Sequence, residues 1–322
     1  MCRVSILNQI LPKKTLQDRA FLLQKARDFF AARGIMEVDC CALASRAPID
    51  VNIDVIEASV SSNSVGFLHT SPEYAMKQLL ANGCGDIYYL GHVFRQGEIG
   101  PRHNPEFTMA EWYRIGMPFQ GLIEETCEFL FLFLGKQPIR TLSYREAFSL
   151  YAGLDYSQAT LPQLCQKIKM EGIELPSSSE DWTRDAYLHL LLSHIIEPRL
   201  GRKELTVLTD YPPTEAALAR IVEKNGEQVA ERFEIYSEGV ELCNGYHEAS
   251  DSDELRERFI QENAQRESKG KKTYLLDENF LSAMKHNFPD CCGVSVGFDR
   301  ALMLRHQSHS LRDVLPFAWS YT

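Results

Sequence analysis

The segments DIYYLGHVF and EFTMAEWYRI both alternate like strands, and the loop between them, Arg95 to Glu106, holds two arginines, two glutamates and an Asn-Pro step. No other feature restricts the fold as much. Two strands with no helix between them form an antiparallel hairpin, and a connecting loop of this length is more often functional than idle. Two readings of the loop stand side by side. It is either a charged surface turn, or a cradle for a phosphate chain beside a pocket for a cationic substrate.

The rest of the chain supports an α+β sheet enzyme and not a βαβ alternation. Thr15 with Asp18 reads as a capping box that opens a helix, with Leu22, Leu23, Ala26, Phe29 and Phe30 on its apolar face and Gly34 as its stop. GIMEVDC and SVGFLHT read as strands, and Ser71-Pro72-Glu73 starts a helix with a cap, a proline and an acid at the positive end of the dipole. From about 119 to 201 the chain reads mainly helical, broken by the serines of 177–180. ELTVLTDYP is a strand, FEIYSEG and VELCNGYHE form a second hairpin turning near Ser237-Glu238-Gly239, and SDELRERFIQENAQRE is a charged helix. GVSVGF is a small-residue strand that runs directly into the helical DRALMLRH.

Composition excludes several functions. A formal charge of −10 over 322 residues argues against nucleic acid as the main partner, because phosphates demand a basic face. The nine cysteines show no CxxC spacing and read as buried thiols of a reducing cytosol. MCRVSILNQI is too short for a signal segment and no apolar run is long enough to span a bilayer, so a cytoplasmic location is expected. Neither GxxxxGKS/T nor GxGxxG occurs. His306 and His309 have metal-like spacing with no accompanying Glu base.

What the sequence does offer is arginines and glutamates spread over strands. Arg95, Arg102 and Arg300 each present the forked donors that suit phosphate oxygens. Glu234 and Glu241, on two arms of one hairpin, are candidate ligands for Mg2+, a hard cation that takes oxygen donors. Glu111 and Tyr113 share a strand face, as do Asn244, Tyr246 and Glu248, while Glu241 has the opposite parity unless a bulge at Gly245 reconciles them. Several acids in one pocket would match a substrate with two amino groups.

FRQGE…RHNPEFTMAEWY resembles motif 2 of the class II aminoacyl-tRNA synthetases, GVSVGFDRALML resembles motif 3, and ARDFFAARGIMEVDC resembles a weaker motif 1. HTSPEYAMK, RHNPEFTM and VELCNGYHE are similar to the lysyl-type catalytic core, and the resemblance runs from about 15 to 318. It implies a six- or seven-stranded antiparallel sheet flanked by helices, one catalytic domain over 1–322 with a helical insertion at about 119–201, and a homodimer built through motif 1. Lysyl synthetases carry an anticodon-binding OB-fold before this core, whereas about a dozen residues precede the first helix here. That layout is similar to the truncated branch of the family, the elongation factor P–(R)-β-lysine ligases, and so is Ser295, which stands where lysyl synthetases have glycine.

The resemblance implies ATP and Mg2+ as cofactors, (R)-β-lysine or lysine as the small substrate, and elongation factor P rather than tRNA as acceptor. It places Arg95 on the α-phosphate and Arg300 on the far phosphates, with Gln96, Gly97, Glu98, Asn104, Glu241, Leu242 and Gly297 bordering the nucleotide. Glu234 and Glu241 take the metal, and Ser71, Glu73, Glu111, Tyr113, Asn244, Tyr246 and Glu248 line the amino-acid pocket. Two positions depart from the pattern. Gly97 replaces the usual motif 2 glutamate, with Glu98 one step later, and Cys41 replaces the motif 1 proline. A compact lysyl-tRNA synthetase and a non-catalytic synthetase-like sensor or accessory subunit are the rival expectations.

Overall fold

The structure is a computed structural model that describes residues 11–175 and 182–319. MCRVSILNQI and the serines of 177–180 therefore lie outside the described residues. The described chain divides into two compact units, one running to Gly135 and resuming at Glu248, the other spanning Lys136–His247.

The first unit opens with α1 (Lys13–Ala31), which buries Leu22, Ala26, Phe29 and Phe30 as its periodicity predicts. The predicted capping box is absent. The helix starts before Thr15, which is buried, and Asp18 instead accepts from Arg305 at 2.8 and 3.1 Å and pairs with His306 at 3.0 Å. GIMEVDC contributes only β1 (Met36–Glu37). β2 (Leu43–Ala44), β3 (Glu57–Ser61) and β4 (Ser64–Leu68) make a small antiparallel sheet of their own. Then come α2 (Glu73–Ala81), β5 (Ile87–Phe94), β6 (Glu106–Ile115) and α3 (Phe119–Leu134).

The second unit contains β7 (Ile139–Ser143), α4 (Tyr144–Ala147), α5 (Leu161–Met170), α6 (Arg184–Leu191), β8 (Leu205–Tyr211), β9 (Ile221–Lys224), β10 (Glu227–Ser237) and β11 (Val240–His247). β8, β10 and β11 are antiparallel neighbours, with β9 on the far part of β10. β7 pairs with β8 in parallel, a connection that needs a long crossover, here supplied by helices. Its core is aromatic, with Tyr144, Phe148, Tyr156 and Tyr211 around Leu164 and Leu188. The β10–β11 turn is where expected: Glu238 and Gly239 both have positive φ, and a Cβ on Gly239 would crowd the Pro198 backbone at 3.1 Å.

The first unit resumes with α7 (Ser252–Ser268), α8 (Glu278–Asn287), β12 (Cys291–Gly297) and α9 (Phe298–Arg305). Its main strands run in the order β1-β5-β6-β12. The motif 2 hairpin is antiparallel from Ile87↔Tyr113 to Phe94↔Glu106, and β12 lies antiparallel on β6 from Cys291↔Ile115 to Gly297↔Met109. β1 joins β5 in parallel, so the antiparallel centre gains a parallel edge that periodicity does not reveal. Side chains alternate across β6. Trp112 enters an aromatic layer with Phe30 and Phe129, while Met109 and Tyr113 join Met76, Leu80 and Cys291 in a separate core cluster. No helix among the described residues is long and apolar enough to cross a membrane, and the eight cysteines within them are free thiols.

Candidate functional site

At the neck of the hairpin, Arg95 N donates to Pro105 O at 2.8 Å and Gln96 N to Asp54 O at 2.8 Å. The Arg95 side chain is half-buried. Its Nε donates to the Thr70 carbonyl at 3.3 Å, its guanidinium stands 5.1 Å from the Phe107 ring centroid, and Nη1 is 3.6 Å from Glu98 Oε1. Gly97 has φ +77°, a conformation that excludes the usual glutamate without strain, and Glu98 is spent on Arg95. Arg300, in the first turn of α9, donates through Nε to Arg102 O at 3.3 Å and through Nη2 to His103 Nε2 at 2.8 Å. Loss of hydration and the adjacent Arg300 charge push the His103 pKa below its ordinary value, and Arg95, Arg102 and Glu98 also act on it. A neutral imidazole thus sits among three guanidiniums, an arrangement suited to a polyanion.

Asn104 braces this region: its Nδ2 donates to Glu106 O at 2.6 Å and its Oδ1 accepts from Trp319 N at 2.8 Å. Gly297 is the N-cap of α9, and a Cβ there would meet only the Arg300 side chain, at 3.7 Å.

Further along β6 the character of the site changes from cationic to acidic. Ser71 Oγ donates to Glu111 Oε2 at 2.8 Å and accepts from Glu73 N at 3.0 Å, but the N-cap of α2 is Pro72 and not Ser71 as predicted. Tyr113 OH donates to Glu111 Oε1 at 2.8 Å. Glu111 is only 2 % exposed, and burial, reinforced by the charge of Glu73, pushes its pKa up to about 8. Glu248 is 1 % exposed and lies 2.7 Å from Lys77 Nζ, which is also 2.6 Å from Glu73 Oε1. Burial opposes a charge on Lys77, but Glu248 and Glu73 outweigh it and hold the ammonium above its ordinary pKa. Opposite, β12 sets Gly293 against Tyr113 and Ser295 against Glu111. A Cβ on Gly293 would fall 2.3 Å from Tyr113 Cε1 and 2.6 Å from Glu248 Oε1.

The second unit holds the remaining predicted residues. The bulge that reconciles their parity lies at Leu242, not at Gly245: Tyr236 faces Glu241, Ile235 faces Cys243, and Gly245 pairs regularly with Phe233. Glu241, Asn244 and Tyr246 thereby share a face with Glu234. Glu234 Oε1 accepts from Arg232 Nη2 at 2.5 Å, and Oε2 accepts from Tyr211 OH at 2.6 Å and Tyr236 OH at 2.5 Å. Arg232 also donates to Asn244 Oδ1 at 3.1 Å, and Asn244 Nδ2 donates to Tyr246 OH at 2.6 Å. Glu234 therefore already carries the counter-charge of a buried guanidinium. It fits a metal poorly beside that cation, whereas Glu241 has the chemistry of an oxygen ligand.

The sequence reading missed Lys77, Gly293 and Arg232. Lys77 was detectable in principle, four residues after Glu73 on a predicted helix. It also missed a buried tie behind the site: Arg19 Nη1 is 2.5 Å from Asp299 Oδ1, Arg19 Nη2 donates to Thr108 Oγ1 at 2.7 Å, and Thr108 N donates to Asp299 Oδ2 at 2.7 Å. Thr108 of the resembled motif 2 and Asp299 of motif 3 are thereby tied to Arg19 of α1.

Comparison with known proteins agrees with this geometry. Residues 7–320 match the family model of class II tRNA synthetases (D, K and N). The chain is 40% identical over 309 residues to the elongation factor P–(R)-β-lysine ligase of Haemophilus ducreyi, covering 94% of this chain and 93% of that one. It is 39% identical over 308 residues to the protein of that name from Salmonella gallinarum and 38% identical over 309 residues to that from Pasteurella multocida, in each case covering 94% of both chains.

Proposed function

The chain belongs to the class II tRNA synthetases (D, K and N), and from that membership we propose an ATP-dependent ligase that activates (R)-β-lysine or lysine as an aminoacyl-adenylate and transfers it to a lysine side chain of elongation factor P. The observation that carries this reading is strand β6, which leads from a loop of guanidiniums directly to a buried acid pocket. The first suits the phosphates of ATP and the second suits the ammonium groups of a diamino acid. The family match runs through both units without interruption, in keeping with one catalytic domain.

The chemistry needs no protein nucleophile. The substrate carboxylate, already ionised, attacks the α-phosphorus; an O–P bond forms, the bond to the bridging oxygen breaks, and pyrophosphate leaves. Arg95 stabilises charge on the α-phosphate and Arg300 holds the far phosphates, while Gln96, Gly97, Glu98, Asn104, Leu242 and Gly297 border the nucleotide. Ser71, Glu73, Glu111, Tyr113 and Glu248, with Asn244 and Tyr246, hold the amino acid in line. In the second step a neutral lysine amine of the acceptor attacks the acyl carbon, AMP leaves, and the amine proton passes to solvent. Mg2+, when bound, would neutralise phosphate charge; Glu241 would hold it, and Glu234 would join only by releasing Arg232.

A cytoplasmic homodimer completes the reading, with free thiols as the feature that favours a reducing compartment. The deciding experiment incubates the protein with ATP, labelled (R)-β-lysine or lysine, and both elongation factor P and total tRNA. Label on elongation factor P is expected. Label on tRNA alone would make the protein a compact lysyl-tRNA synthetase, and label on neither would make it a non-catalytic relative.

A further inference from the structure

Lys77 is a fully buried ion for which the reaction has no use. Its ammonium lies 2.6 Å from Glu73 and 2.7 Å from Glu248, both acids of the amino-acid pocket. Burying such a triad strips each ion of its hydration, and apolar residues of the same volume would often serve the fold as well. Stability alone is therefore a weak reason for Lys77 to be charged and buried here.

The neighbouring groups show what the charge does. Ser71 links two of the acids, donating to Glu111 and accepting from the backbone of Glu73. Burial pushes the Tyr113 hydroxyl and the Cys291 thiol well up, and raises Tyr89 and Cys40 to about 12, so all four are neutral near pH 7. The charge of the pocket is then set by three carboxyls and one ammonium. Gly293 lets the Tyr113 ring and the Glu248 carboxylate pack directly against its backbone, where a Cβ would fall 2.3 and 2.6 Å from them.

Building on the ligase reading, we propose that Lys77 is the resident counter-ion of the pocket, bridging Glu73 and Glu248 and offsetting one of their two charges, so that Glu111 is the acid that ionises to receive an ammonium of the incoming diamino acid. Lys77 is a positioning residue that acts through these acids. In the ligand-free protein Glu111 holds a proton at neutral pH, because burial and Glu73 raise its pKa to about 8. When the substrate ammonium arrives, the carboxyl ionises against it and the proton passes to buffer. Substrate binding is thus coupled to proton release.

Calorimetric binding of lysine and (R)-β-lysine to the wild-type protein at pH 7, in buffers of different ionisation enthalpy, is expected to show release of about one proton. Binding without proton release overturns the roles given to Lys77 and Glu111, and it does so even if every Lys77 variant fails to fold. Failure to bind either diamino acid overturns the ligase reading instead. Lys77→Met should raise the KM for the diamino acid at pH 7 by about ten-fold or more, the cost of removing an additional bound proton, with kcat and the KM for ATP nearly unchanged. In Lys77→Ala, propylammonium should restore the KM and propanol should not. Equal rescue by both would reduce Lys77 to a space-filler and overturn the proposal.

Discussion

Arg95 and Arg300 are held differently. Arg95 is fixed by a carbonyl, a ring and Glu98, whereas Arg300 is fixed by the Arg102 carbonyl and by an imidazole kept neutral. Neither guanidinium is sealed from solvent, so a triphosphate can compete for both. Arg95→Ala and Arg300→Ala are each expected to cost on the order of 3–4 kcal/mol of transition-state stabilisation. Pyrophosphate exchange would show this as a loss of two to three powers of ten, and wild-type exchange in either variant would remove that arginine from the reaction. The two hairpin acids should separate cleanly. Glu234→Gln strips the carboxylate from the buried Arg232 and should destabilise the protein by about 3–5 kcal/mol in denaturant unfolding. Glu241→Gln should unfold like wild type but need more Mg2+ for exchange; the reverse pattern would make Glu234 the metal acid.

Among the elements, the motif 2 loop departs most from the resembled pattern, and its backbone explains why. Gly97 sits at φ +77°, so Gly97→Glu would restore the family side chain while placing it in the left-handed region at about 1–2 kcal/mol of strain. The KM for ATP should rise in Gly97→Glu and change little in Gly97→Asn, since asparagine tolerates that conformation; a lower KM in the glutamate variant would show that the loop accepts the family geometry. The hairpin itself was legible because its strands alternate cleanly and its loop is long and polar. The β10–β11 turn was legible from its glycine. The Thr15 cap was misread because Asp18, which supplies the capping-box pattern, is engaged by Arg305 and His306, far away in sequence. The parallel pairs of β1 with β5 and of β7 with β8 carry no local signature, and neither does the Arg19–Asp299 tie. The candidate pocket acids came from motif resemblance; Lys77 escaped because a lysine at helical spacing from a glutamate ordinarily reads as a surface pair.

At the scale of the whole molecule, the buried carboxyls should leave a mark on stability against pH. Burial raises Glu111 and Glu262 to about 8, so in each case the folded state binds its proton more tightly than the unfolded chain. Their contribution is complete below the ordinary carboxylate range and is lost as pH rises through that range to about 8. Buried His69, with its pKa lowered by burial, works in the opposite sense: its contribution is lost as pH falls below the ordinary value of 6.5. Asp18, held low chiefly by its bond to Arg305, matters only in acid. Between about pH 7 and 8 the glutamates are therefore the groups still changing, and the melting temperature of the ligand-free protein should fall across that interval. The two acids are distinguishable, because Glu262 accepts from Val51 N and is not among the acids of the amino-acid pocket. Saturating lysine or (R)-β-lysine should flatten the part due to Glu111 and leave the part due to Glu262, which Glu262→Gln should remove. A ligand-free melting temperature constant from pH 7 to 8 would mean that Glu111 is already ionised in the empty pocket, and that an ammonium could enter with no proton leaving.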